Sequence, residues 1–319
     1  MLFHKIKQRY HQNLLETYIK NNDINSMKET FQSSYFKNKN LNFDKIVNYL
    51  VYFTNHQKFE NFFSKNLVWI NSFDKDDYQY LNKFMNEYFK FQRIDHCPAK
   101  EYHLFLQEFA KEYSLPKINF EMICKYNYIY QYIISEAYPN KFQILNTSSA
   151  FFETSSNLYF THFYLTRAYI YITRSPYSLL KKYKFMNKDL KQVNSSQGLL
   201  SGDNLKKHYF SEDNYIEENI NSWSINNSSW TNINAINTLR GIIINYDALE
   251  NNTFETLARV ISHLVQSGIS LNLDYEFIEN YVKKNPFHIK NFDSISISNQ
   301  EKKLIDRDNL DIILELQHH

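Results

Sequence analysis

Asp74, Lys75, Asp76 and Asp77 stand together where an apolar run meets a helix-period segment, in VWINSFDKDDYQYLNKFMNEYF at 68–89. A strand feeding a helix is where α/β proteins commonly hold a phosphate. Unpaired backbone N–H groups and the positive end of the helix dipole converge there. Such a corner works with glycine, which lets the backbone approach the ligand, and with hydrogen-bond donors. This one has no glycine; it supplies one lysine and three carboxylates, and a carboxylate at pH 7 only accepts hydrogen bonds. A carboxylate about 4 Å from a phosphate costs on the order of 4 kcal/mol at an effective dielectric of about 20. The position suits a phosphate and the side chains oppose one.

The other reactive side chains do not assemble by spacing. Cys97 and Cys124 match no metal-ligand pattern and neither demand nor exclude a disulfide; a reduced interior is the simpler expectation. Ser148 as a hydrolytic nucleophile would need an oriented His–acid pair, and no GxSxG elbow surrounds it. His96, His103 and His162 are isolated and read as surface or core histidines. Arg174, Lys181 and Lys182 form a small basic group, suited either to an anion or to a solvated helix face. No metal site is expected.

The elements that must position these residues follow from periodicity. Leu81, Phe84, Met85 and Tyr88 recur at i, i+3, i+4 and i+7, one face of a helix. Before the corner, residues 1–64 read as helices separated by polar breaks, a helical extension or a partner-binding arm. From residue 65 short apolar strands alternate with helical segments. The strands are VWINSF at 68–73, FQILNT at 142–147, AYIYIT at 168–173 and GIIINY at 241–246. Helices are expected at 101–113, 120–136, 253–266 and 273–283. Residues 184–215 are polar and carry two of the four glycines, so a long surface loop is expected there. Strands interleaved with helices predict an α/β fold, a parallel sheet flanked by helices. The expected domains are 1–64 and 65–319.

Composition removes several function classes. With 36 basic and 34 acidic residues in 319, the net charge is +2 and no basic face is concentrated enough for nucleic acid. No apolar run approaches the roughly 18 residues of a membrane-spanning helix. The N-terminus has neither the apolar core nor the cleavage site of a signal peptide, and the expected location is cytoplasmic. Any site that needs glycine must find it among Gly198, Gly202, Gly241 and Gly268.

The order of the pieces resembles the PAPS-dependent sulfotransferases of bacterial type (PAPS is 3′-phosphoadenosine 5′-phosphosulfate). That family opens with a strand and a Lys-Ser-Gly-x-Thr-Trp corner, where this chain has the 68–89 segment. A helix ending near a glutamine is similar to KYNYIYQ at 125–131, and a strand ending Lys-Thr-His-Asn-Ala is similar to FQILNTSSA at 142–150. The family's IYIVRDPR signature with a following serine resembles IYITRSPYSLLKK at 170–182. Its Ser-Trp pair resembles SWSINNSSW at 222–230, and its RYEDL strand resembles NYDAL at 245–249. The resemblance spans roughly residues 66–290 in order and places Trp69, Trp223 and Trp230 on motif positions.

The resemblance implies a P-loop-like sulfotransferase fold with an N-terminal helical extension. It puts Lys75, Gln79, Arg174 and Lys182 at donor-binding positions, and Lys75 and Ser148 at the catalytic ones. The reacting groups depart from the pattern. Asp76-Asp77-Tyr78-Gln79 replaces Ser-Gly-x-Thr, and Asn146-Thr147-Ser148 replaces the triplet whose histidine acts as base. An unassisted serine is a poor base near neutral pH. The expected function is therefore a degenerate sulfotransferase, with no cofactor, that binds an acceptor or, through residues 1–64, a protein partner. The alternative is an active enzyme that uses PAPS to sulfate a carbohydrate or lipid hydroxyl.

Overall fold

The computed structural model describes Thr17 and residues 64–112, 131, 134–135, 138–148, 153–154, 158–159, 161, 165–189, 223–232, 236–237, 239–287, 292, 295–303 and 305–306. The expected 1–64 extension lies outside the described residues apart from Thr17 and Ser64, as does most of the expected 120–136 helix. Two compact units divide the chain. One comprises Met1–Lys65, His103–Asn140 and Thr154–Leu165; the other comprises Asn66–Tyr102, Lys141–Glu153 and Thr166–His319. The sheet and the candidate site belong to the second.

Its elements, in order, are β1 (Leu67–Ser72), α1 (Gln79–Phe91), β2 (His96–Glu101), α2 (Tyr102–Glu112), which continues into the first unit, and β3 (Phe142–Thr147). Two short strands, β4 (Glu153–Thr154) and β5 (Leu158–Tyr159), pair with each other, and Thr154 and β5 belong to the first unit. Then come β6 (Thr166–Thr173), α3 (Pro176–Asp189), β7 (Gly241–Asn245), α4 (Tyr246–Asn251), α5 (Thr253–Gln266) and α6 (Tyr275–Lys284). A further helical segment spans 223–231. The five-stranded sheet has the order β2-β3-β1-β6-β7, and its strand pairs are parallel. This is the expected α/β architecture, with β1 at the centre.

Alternation along the strands sorts two unlike faces. Val68, Ile70, Ile144, Ala168, Ile170, Ile172, Ile242 and Ile244 form one aliphatic face. It is covered by Leu81, Phe84, Met85 and Tyr88 of α1, by Leu257, Val260, Ile261 and Leu264 of α5, and by Ile278 and Tyr281 of α6. The i, i+3, i+4, i+7 stripe read from α1 is thus the buried face of that helix. Each such side chain contributes about 1.5–3 kcal/mol when fully buried. The opposite face is aromatic and polar. Trp69 meets the edge of Tyr102 at 5.0 Å, and Tyr171 stacks on Trp230 at 6.2 Å. Tyr171 donates to Asn226 Oδ1 and Thr173 to Asn227 Oδ1, both at 2.8 Å. Gly241 sits opposite Tyr169, and a Cβ there would lie 2.1 Å from the tyrosine ring. Only glycine fits beside that ring, which donates its own hydroxyl to the Trp230 carbonyl.

Two local expectations differ from the structure. The 184–215 loop does not begin at 184, because α3 runs on to Asp189. Pro176 fits the first helical turn, where its missing N–H is not needed, and Leu179 and Leu180 anchor the helix beside Trp223. β2, HCPAKE, has no apolar run and contains Pro98, so periodicity does not announce it. It is an edge strand, where proline is tolerated, with a register shift between Cys97 and Lys100. Among the described residues no helix is long and apolar enough to cross a membrane.

Candidate functional site

The corner is built by Asp74. β1 ends at Ser72, whose hydroxyl donates to the Asp74 carbonyl. The same carbonyl accepts the Asp77 N–H at 3.0 Å, and Asp74 Oδ1 accepts the Asp76 N–H at 3.0 Å. Two N–H groups that would face a phosphate in a glycine-rich corner are thus held by Asp74 itself. An aspartate that bonds the backbone two residues on is the usual way this residue shapes a turn. Phe73 and Tyr78 on either side are buried in separate apolar clusters, Phe73 with Leu179, Leu180 and Trp223 and Tyr78 with the α1 and sheet side chains.

Two cations, one after the neighbouring strand β6 and one from α3, complete it. Arg174 follows the end of β6, and its Nη1 donates to Asp77 Oδ1 at 2.9 Å, with the two side chains only 4% and 1% exposed. Its Nε donates to Ser178 Oγ at 3.0 Å, and its guanidinium carbon lies 4.2 Å from the Tyr246 ring centre. Trp223 Nε1 donates to its backbone carbonyl at 3.0 Å. Lys182 donates to Asp74 Oδ2 at 2.6 Å and to Asp76 Oδ2 at 3.0 Å. Ser178 and Lys182 are four apart on α3, one turn, so both face the corner.

The charges nearly cancel. In the ion pairs the three carboxylates meet one guanidinium and one ammonium, and the exposed Lys75 lies between Asp74 and Asp76 in sequence. Asp77 titrates well above the usual carboxylate range. Burial, then the neighbouring Asp74 charge, push its carboxyl up to about 7 against the opposing pull of Arg174 and Lys182. For Lys182, burial favours the neutral amine, but Asp74, Asp77 and Asp76 together outweigh it and raise the pKa. Burial, and next Asp77, lift the Tyr246 phenol to about 12, so it remains a neutral platform for the guanidinium.

The residues singled out by the sequence separate into two groups. Arg174 and Lys182 converge on the corner, bound to its carboxylates. Lys75 and Gln79 point outward and are exposed, as is Asp76, whose side chain is 59% exposed despite its lysine contact. Ser148 is half-buried at the end of β3, and its backbone carbonyl accepts from Asn226 Nδ2 at 2.8 Å. Asn146 and Thr147 are buried beside it. His96 lies on β2 with Nδ1 2.9 Å from the Ile94 carbonyl; His162 and the side chain of His103 lie outside the described residues. Asn245, at the arginine position of the RYEDL-like strand, caps α4 by accepting the Asp247 N–H at 2.8 Å.

Sequence reasoning missed Ser178, Tyr246 and Trp223 as the shell around Arg174. The spacing of Ser178, one turn after the arginine, was the available signal. Trp223 and Tyr246 fall within motif segments of the resemblance, but nothing local links them to Arg174, which they reach only through the fold. No protein-family model matches the chain, and no curated protein matches it.

Proposed function

We propose that this chain is a sulfotransferase-like protein whose donor site has become a structural ion-pair network. In this reading it acts by binding an acceptor or a protein partner and does not carry out standard sulfuryl transfer. One observation carries the reading: the two basic residues at donor positions, Arg174 and Lys182, are held by Asp77, Asp74 and Asp76. A phosphate entering here would have to displace a carboxylate from its cation. Leaving one buried charge uncompensated costs about 3–5 kcal/mol, some two to four decades of affinity. The corner N–H groups held by Asp74 add to the barrier, and the half-buried Ser148 has no histidine beside it in sequence.

Calorimetric titration with 3′-phosphoadenosine 5′-phosphate tests the reading. No binding is expected at millimolar ligand. Micromolar binding would overturn it in favour of the active enzyme, with PAPS as donor and Lys75 as the cation at the transferring group.

A further inference from the structure

A second acidic cluster lies at the other end of α1, and its carboxylates have no ion pairs among the described residues. Between α1 and α6 runs an open groove of about 430 Å³, within the size range of small-molecule sites. Tyr88 pins the helices together there by donating to the Asn272 carbonyl at 2.6 Å and accepting the Asp274 N–H at 2.8 Å. Glu87, Asp274 and Glu276 line the groove, and Lys284 is the one basic residue among its lining side chains. None of the three carboxylates has an ion-pair partner among the described residues. Asp274 Oδ1 accepts the Phe277 N–H at 2.8 Å as the cap of α6.

The groove also has an aromatic wall. Phe91 and Phe277 stack at 4.4 Å with their planes 26° apart, and Phe91 remains 46% exposed. Tyr281 is a further lining residue. It is only 4% exposed, yet among the described residues its hydroxyl has no hydrogen-bond partner, which is uncommon for a buried phenol. Burial first, then Tyr80 and Glu87, raise its pKa, so it remains a neutral phenol.

Carboxylates beside exposed π-faces suit one ligand chemistry, a positive head on an apolar stem. The aromatic faces attract the cation and cover the stem, while the carboxylates hold the charge. An anionic ligand is opposed by a net charge of −2 from three acids and one base among the lining residues. A bare metal ion would leave the Phe91–Phe277 stack uncovered. We infer that the α1–α6 groove is a binding site for a small organic cation of the alkyl-guanidinium or polyamine class, held by Glu87 and Glu276 and stacked on Phe91. This inference is independent of the reading of the Asp74–Asp77 corner.

The test is titration of the full chain with agmatine and with spermidine, followed by calorimetry and by line shifts of the groove residues. Saturable binding is expected, weakening as salt is raised. Glu87→Gln and Glu276→Gln should each lower the affinity about fivefold. Phe91→Ala should lower it too while leaving the thermal transition in place. Absence of saturable binding at millimolar amine would overturn the inference. So would binding that these substitutions leave untouched. Magnesium binding with the same carboxylate dependence but no Phe91 dependence would replace it with a simple charge site. Binding only of an arginine-containing peptide, and of neither free amine, would replace it with a protein-docking surface.

Discussion

Helix α1 carries an acidic cluster at each end, and the two have opposite fates. At its N-terminus Asp74, Asp76 and Asp77 are matched with Lys182 and Arg174, and two of the three are buried. Near its C-terminus Glu87 meets Asp274 and Glu276 across a solvent-open groove, without ion pairs among the described residues. The difference lies in what the facing helix brings. α3 presents Ser178 and Lys182 to the first cluster, whereas α6 presents Phe277 and Tyr281 to the second. Carboxylates that the fold neutralises have become structure. Carboxylates left facing aromatics remain available for a ligand.

The largest expected effect is at the corner. Lys182→Met leaves Asp74 buried without its cation and should destabilise by about 3–5 kcal/mol in chemical denaturation. Adding Asp74→Asn should recover much of that loss, because the stranded charge is then gone. A single-mutant cost below about 1 kcal/mol would erase the contrast between the two clusters.

Next comes pH. Asp77 moves from 3.8 when exposed to about 7 when folded, so between those values the folded chain holds a proton that the unfolded chain has released. Stability should therefore fall as pH rises from about 4 to about 7 and level off above, a loss on the order of a few kcal/mol. Asp77→Asn keeps an acceptor for Arg174 and should flatten that slope. An unchanged slope in the variant would assign the titration elsewhere.

The smallest effect is in the groove. Glu87→Gln and Glu276→Gln should each change stability by no more than about 0.5 kcal/mol, since both residues are exposed and neither carboxylate is paired among the described residues. Glu276 lies in the first turn of α6, so its removal forfeits a few tenths of favourable dipole interaction. A loss of several kcal/mol at either site would show that the groove, too, is structural.

Much of the scaffold was legible in the sequence. FQILNT and the 253–266 helix have the boundaries expected of them, because a parallel strand buried on both faces and a helix with one apolar stripe leave direct period signals. β2 was not legible, since an edge strand containing proline carries neither alternation nor an apolar run. At the site, the aspartates could be recognised as hostile to phosphate from their chemistry alone. Their partners could not, because the Asp77–Arg174 and Asp74–Lys182 contacts join residues 97 and 108 positions apart.

The sequence by itself determined that the corner joins a strand to a helix, that it has no glycine, and that its three acids repel an anion. Local chemistry and periodicity suffice for each of those statements. Only the tertiary structure decided that Arg174 and Lys182 answer those acids while, among the described residues, Glu87 and Glu276 go unanswered. Neutralisation depends on which side chains the sheet crossovers bring face to face, and no local pattern in the chain records that.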